Sequence, residues 1–149
     1  MSHTCNYQHI IFRTYKSQKA IPEESKKVLF AYIEKLCEKQ GVQVLCINSH
    51  FDHIHILIEL PPTLCVAEVV KLIKQTTSKA FQRHNYFPFF DGWATGYAAF
   101  SVSMSKRETV INYIKNQGEH HRIKTFREEY EAFLKANGIE LDNYVFIDK

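Results

Sequence analysis

The apolar positions of this chain change period along its length, and the changes mark its elements. Residues 6–15 (Asn-Tyr-Gln-His-Ile-Ile-Phe-Arg-Thr-Tyr) are rich in aromatic and β-branched types and predict a strand. Pro22, Glu23 and Glu24 suit the first turn of a helix, where a missing N–H costs nothing and acids meet the positive end of the dipole. Val28, Leu29, Tyr32, Ile33, Leu36 and Cys37 then recur at helical spacing, and Gly41 supplies the stop. A second strand is expected over residues 42–48. The short His50-Phe51 link makes it the hairpin partner of a third strand, which Pro61-Pro62 ends because neither residue can donate to a ladder.

A long helix follows from Leu64 to about His84, with Val66, Val69, Ile73, Thr76 and Ala80 inward. An irregular aromatic link, 85–96, leads to a fourth strand over Tyr97–Ser103. Ser105-Lys106-Arg107-Glu108 reads as a capping box, in which the serine accepts from the Glu108 backbone and opens another helix. Within it Val110 and Ile114 share the inner face, while Tyr113 and Gln117, four residues apart, stand together on the adjoining flank. A last helix is expected over Ile123–Ala136, closed by Asn137-Gly138, with a tail over 139–149. The order strand, helix, strand, strand, helix, strand predicts an α+β, ferredoxin-like (RRM-like) antiparallel sheet. Its helices lie on one face, and the other face is open and meets the tyrosine-bearing helix.

Composition narrows the class. A chain of 149 residues, 45% hydrophobic, suits one domain spanning 1–149 with a real core. No apolar run reaches membrane-span length and the start lacks the apolar core of a signal peptide, so a cytoplasmic protein without a membrane partner is expected. Cys5, Cys37, Cys46 and Cys65 form no Cys-x-x-Cys pair, which favours reduced, packed thiols. The net charge is only +3, but residues 61–118 hold seven Lys/Arg against three Asp/Glu, whereas 1–60 hold seven against six and 119–149 five against seven. A basic middle suits phosphates. A solvated helix face fits the same charges; on the phosphate reading, contacts are expected from Lys71, Lys74, Lys79 and Arg83 on the long helix and from Lys106 and Arg107 at the capped one, with Trp93 and Phe90 as candidates to stack on unpaired bases.

The chemistry centres on Asp52-His53-Ile54-His55-Ile56-Leu57-Ile58. Strand side chains alternate, so His53 and His55 share one face, roughly 7 Å apart, while Ile54, Ile56 and Ile58 take the other. The histidines are expected on the more accessible side. If the capped helix crosses that side, from this subunit or a partner, two imidazoles, the Gln117 amide oxygen and the Tyr113 phenol converge. A divalent ion bound by His53, His55 and Gln117 would neutralise a phosphodiester oxygen, and Tyr113 would attack. Mixed imidazole and oxygen donors suit manganese, with magnesium as the other candidate. Asp52 and Glu119 are unranked helpers, and His9, His50, His120 and His121 have no assigned role.

Asp52-His53-Ile54-His55-Ile56-Leu57-Ile58, the strand Gly96-Tyr97-Ala98-Ala99-Phe100-Ser101-Val102-Ser103, and Tyr113-Ile114-Lys115-Asn116-Gln117 with Glu119-His120-His121 resemble, in the same order, the single-tyrosine transposases of bacterial insertion sequences of the 200/605 type. These belong to the His-hydrophobic-His endonucleases. The resemblance implies a homodimeric transposase that cuts single-stranded DNA at hairpin-bearing element ends through a 5′-phosphotyrosine link. It makes Tyr113 the nucleophile and His53, His55 and Gln117 the metal ligands, with the tyrosine helix able to serve the partner's metal site. Two other readings stay open: a noncatalytic, domesticated nucleic-acid-binding module on the same fold, and a hydrolase in which water attacks.

Overall fold

The computed structural model describes residues 2–83, 86–117 and 125–140. Its sheet comprises β1 (Tyr7–Arg13), β2 (Gln43–Ser49), β3 (His53–Glu59) and β4 (Ala98–Val102), in the spatial order β2-β3-β1-β4 with every neighbouring pair antiparallel. With α1 (Lys26–Lys39) between β1 and β2 and α2 (Val66–Arg83) between β3 and β4, this is the ferredoxin-like arrangement expected from the chain order. β3 and β1 are central, which is why β3 can be apolar on one side and still wholly covered on the other.

One face carries the main core. Ile10 and Phe12 of β1 and Ile54, Ile56 and Ile58 of β3 meet Leu29, Ile33 and Cys37 of α1 and Val69, Val70, Ile73, Ala80 and Phe81 of α2. Burial of this aliphatic surface is the dominant favourable term in folding. α1 stops where Gly41 takes φ +75, a left-handed conformation that favours glycine. Along α2 the inward residue of the threonine pair is Thr77, not Thr76; its hydroxyl bonds back to the Ile73 carbonyl at 2.7 Å.

The other face is not open. α3 (Arg107–Lys115) lays Ile114, Val110 and Ile111 against Tyr7, Cys46 and Leu57. α4 (Phe126–Ala136) lays Phe126 and Leu134, flanked by Tyr130 and Phe133, against Ile11, Ala98 and Phe100. The expectation that the histidines lie on an accessible face is thereby corrected: both are fully buried, because two amphipathic helices cover what a four-stranded sheet would otherwise leave wet.

Helix starts differ from expectation in one informative way. The Ser105 capping box does not form: a 3-10 turn over Met104–Lys106 precedes α3, its N-terminal residue is the extended Ser103, and Ser105 bonds Ser103 Oγ instead. A side-chain cap does form at α4, where Thr125 Oγ1 accepts from Glu128 N at 3.2 Å and donates to Glu128 Oε1 at 3.1 Å. That places the start of α4 at Phe126; Ile123, named as its expected start, lies outside the described residues. No helix among the described residues is long and apolar enough to cross a membrane.

Candidate active site

The site grows from the register of β3 against β1. Ile11 lies opposite His55 and Arg13 opposite His53, so both imidazoles project from the middle of the sheet beneath α3 and α4. Each ring is held at its Nδ1. His53 Nδ1 is 2.7 Å from Asp52 Oδ1, and His55 Nδ1 is 2.9 Å from His9 Nε2. Phe126 stacks on His53 with ring centres 4.1 Å apart. Both Nε2 atoms therefore face the same point.

Glu129 of α4 occupies that point. Its Oε1 is 3.0 Å from His55 Nε2 and 3.5 Å from His53 Nε2, and its Oε2 accepts the hydroxyl of Tyr113. The potential ligand atoms of His53, His55 and Glu129 all lie within 4.8 Å of one another. Ligands at about 2.1 Å from a shared ion stand roughly 3 to 4 Å apart, so two imidazoles and a carboxylate at these separations suit a divalent cation.

The charges in this buried cluster are mutually dependent. Burial alone would raise Glu129, but hydrogen bonds from His53 and His55, the His55 charge and the Tyr113 hydroxyl together hold its carboxyl far below the usual range. For His53, burial opposes protonation, yet bonds to Asp52 and Glu129 outweigh it and hold its pKa above the ordinary histidine value. Burial and the hydrogen bond to Glu129 push the Tyr113 phenol well above its usual value, while a Gln117 hydrogen bond works the other way. His9 is lowered to about 3 by burial and by His55, so it is neutral. In this arrangement Tyr113 is a protonated phenol held in place by a carboxylate.

Of the residues singled out in the sequence, His53, His55 and Tyr113 converge, with the Tyr113 and His55 ring centres 6.0 Å apart in one and the same chain. Gln117 is buried beside Tyr113, just past the end of α3. Asp52 is the partner of His53, and its backbone carbonyl is fixed by the Thr14 amide at 2.9 Å and hydroxyl at 3.1 Å. Glu119, His120 and His121 lie outside the described residues. Glu129 was not singled out, although a signal exists: it falls on the apolar stripe Phe126, Tyr130, Phe133, Leu134, where a carboxylate has no business unless something inside receives it.

The expected DNA contacts divide. Lys71, Lys79 and Lys106 are exposed. Lys74 is half-buried, with Nζ on the carbonyls of Gly96 at 2.6 Å and Ala94 at 3.0 Å, so it ties down the loop before β4. Arg107 reaches the Tyr7 hydroxyl at 3.1 Å, and the side chain of Arg83 lies outside the described residues. Trp93 donates to Thr77 Oγ1 at 2.9 Å and packs edge-on to Phe12 and Phe90, placing both expected stacking rings against the core. The solvent-facing rings of that link are Tyr86 and Phe89.

Known proteins resemble this chain in sequence and fold. Transposases for insertion sequence element IS200 from Salmonella typhimurium and Salmonella typhi are each 28% identical over 131 residues, covering 83% of this chain and 85% of theirs. Among solved structures, a Deinococcus radiodurans chain described as a candidate transposase superposes with a TM-score of 0.62 at 21% identity, over 78% of this chain and 93% of that one. A REP-associated tyrosine transposase bound to a REP hairpin superposes with a TM-score of 0.60 at 12% identity, over 100% of this chain and 94% of that one. These two likenesses concern the fold. The model of the family described as "Transposase IS200 like" matches residues 2–117, which takes in three sheet-borne histidines, Tyr113 and Gln117 and stops short of Glu129. On that match the chain belongs to the IS200-like transposases.

Proposed function

We propose that this chain cleaves and rejoins single-stranded DNA at hairpin-bearing ends through a covalent bond to Tyr113. The carrying observation is the meeting of the Tyr113 hydroxyl with a carboxylate that also touches both histidine Nε2 atoms. His53, His55 and Glu129 would hold the metal, manganese or magnesium, and Gln117, the third metal ligand that the family resemblance implies, lies beside the phenol. When bound, the ion neutralises a phosphate oxygen and so makes the phosphodiester open to attack.

The chain's own residues do the rest. Asp52 orients His53, and Glu129 orients the Tyr113 hydroxyl. The bond from Tyr113 Oη to phosphorus forms as the bond from phosphorus to the 3′ oxygen breaks. The phenolic proton ends on that oxygen, leaving a 5′-phosphotyrosine and a free 3′-hydroxyl, and attack by a 3′-hydroxyl reverses the step without ATP. Joining two ends calls for two such centres, which a homodimer would supply, each with Tyr113 beside the histidine pair of its own chain. A hairpin substrate accords with the hairpin-bound structural neighbour, and exposed Lys71, Lys79 and Lys106 supply phosphate contacts.

The test is incubation with hairpin-containing single-stranded DNA and manganese, resolved under denaturing conditions. An adduct mapped to Tyr113 is expected, and Tyr113→Phe loses cleavage by at least about 1,000-fold while still binding DNA. Cleavage without an adduct would show water as the attacking group. DNA binding that is unchanged in Tyr113→Phe, with no cleavage by either protein, would leave a binding module.

A further inference from the structure

His9 is a buried polar side chain in the middle of β1 that the reaction above does not use. The ladder sets it opposite Leu57 and next to the Ile11–His55 pair, on the face that carries both metal-binding histidines. Its Nε2 is 2.9 Å from His55 Nδ1, with the ring centres 5.1 Å apart and the planes tilted by 30°. Phe133 meets its ring edge-on at 5.1 Å and Phe100 at 6.4 Å, one from α4 and one from β4. The buried ring is packed between these two aromatics with its Nε2 toward His55.

The arrangement matches the one at the neighbouring ligand. Asp52 holds His53 by Nδ1 and His9 holds His55 by Nδ1, leaving both Nε2 atoms aimed at Glu129 Oε1. Metal-binding histidines characteristically have the second ring nitrogen fixed in this way, which sets ring orientation and the position of the proton. We infer that His9 is a positioning residue of the metal centre, which holds the His55 ring so that its Nε2 lone pair faces the ion. The inference rests on the metal reading of the site. With the ion on Nε2, the proton of His55 is on Nδ1 and is donated to His9 Nε2.

The two supports differ in chemistry. Asp52 is a carboxylate and only accepts, whereas an imidazole adds no charge and takes either role. Either ring nitrogen of the His9–His55 contact can be the donor in the metal-free chain, whereas an ion on His55 Nε2 leaves His9 Nε2 as the acceptor. A neutral support at His55 keeps the centre less negative than two carboxylates would, which suits an anionic phosphodiester.

The experiment has two arms. In ¹⁵N-labelled protein loaded with diamagnetic zinc, long-range proton–nitrogen correlation should find the His55 proton on Nδ1. A proton on His55 Nε2 with zinc bound overturns the inference. In the second arm, manganese alone is titrated and free ion is read by electron paramagnetic resonance. His9→Phe should bind manganese about 10- to 100-fold more weakly, and His9→Gln, which restores an acceptor oxygen, should recover most of the loss. A folded His9→Phe that binds manganese like the parent, while His53→Ala does not, overturns the role of His9; His53→Ala binding like the parent instead overturns the metal reading. If His9→Phe does not fold, the proton position in the unaltered chain decides alone.

Discussion

The two faces of β3 are built from alternate residues of one seven-residue strand, yet they obey different rules. Ile54, Ile56 and Ile58 lie against α1 and α2 in a core of aliphatic side chains. His53 and His55, equally buried, lie under α3 and α4 in a network in which every ring has a partner. The first face tolerates substitution by size and pays in stability, since burial there is non-directional. The second tolerates little change of kind, because an imidazole or carboxylate left alone in a dry interior loses its hydration with nothing in exchange.

The largest expected effect breaks this comparison from the apolar side. Ile56→Ala removes buried methyl groups between the sheet and its helices and should cost about 2–5 kcal/mol, read as a lower midpoint of urea unfolding. Manganese affinity per folded molecule should be unchanged, and a loss of affinity would mean the faces are not independent. On the polar side, Glu129→Gln keeps the shape and removes the charge between the histidines, and should weaken manganese binding at least about 10-fold, or 1.4 kcal/mol. Titration of manganese by electron paramagnetic resonance checks this.

The next effect follows from the protons the metal must displace. Because Asp52 and Glu129 raise His53 above its ordinary value, the ring keeps its Nε2 proton to higher pH than a free histidine does. A ligand nitrogen must lose that proton, so manganese affinity should rise with pH above about 6.5, by up to about tenfold per unit for one proton released. The same titration at pH 6, 7 and 8 reads this, and an affinity independent of pH would mean that the metal does not displace the His53 proton. The smallest effect lies outside both faces. Replacing Lys71 and Lys79 with alanine should weaken DNA binding across sequences and reduce the salt slope by about 1 per lysine. A slope left unchanged would move the DNA path away from α2.

Much of this was legible in one dimension. The alternation of His53-Ile54-His55-Ile56 required two unlike faces, whereas the single helical flank expected for Tyr113 and Gln117 is interrupted, because α3 ends at Lys115 and Gln117 reaches the phenol from beyond it. Within an element short-range geometry is fixed by period, so the alternation survives whatever the rest of the chain does. The start of α3 was misplaced for a related reason: Ser103 and Ser105 both suit the end of a strand and the start of a helix, and only the path of the chain out of β4 selects Ser103. Phe90 and Trp93 carry no mark in the sequence to say whether they face bases or the core; the hydroxyl of Thr77 beneath Trp93 decides it.

By itself, then, the sequence determined the ferredoxin-like order, the histidine pair on one side of β3 and a tyrosine delivered by a following helix. Only the tertiary structure decided that α4 returns across the sheet to set Glu129 between the two imidazoles, and that β1 lends His9 to His55, 46 residues away. Those contacts join residues far apart in the chain, and no local period relates them. They exist because the polar face of the sheet must be covered, and whichever helix covers it must bring a partner for each buried nitrogen.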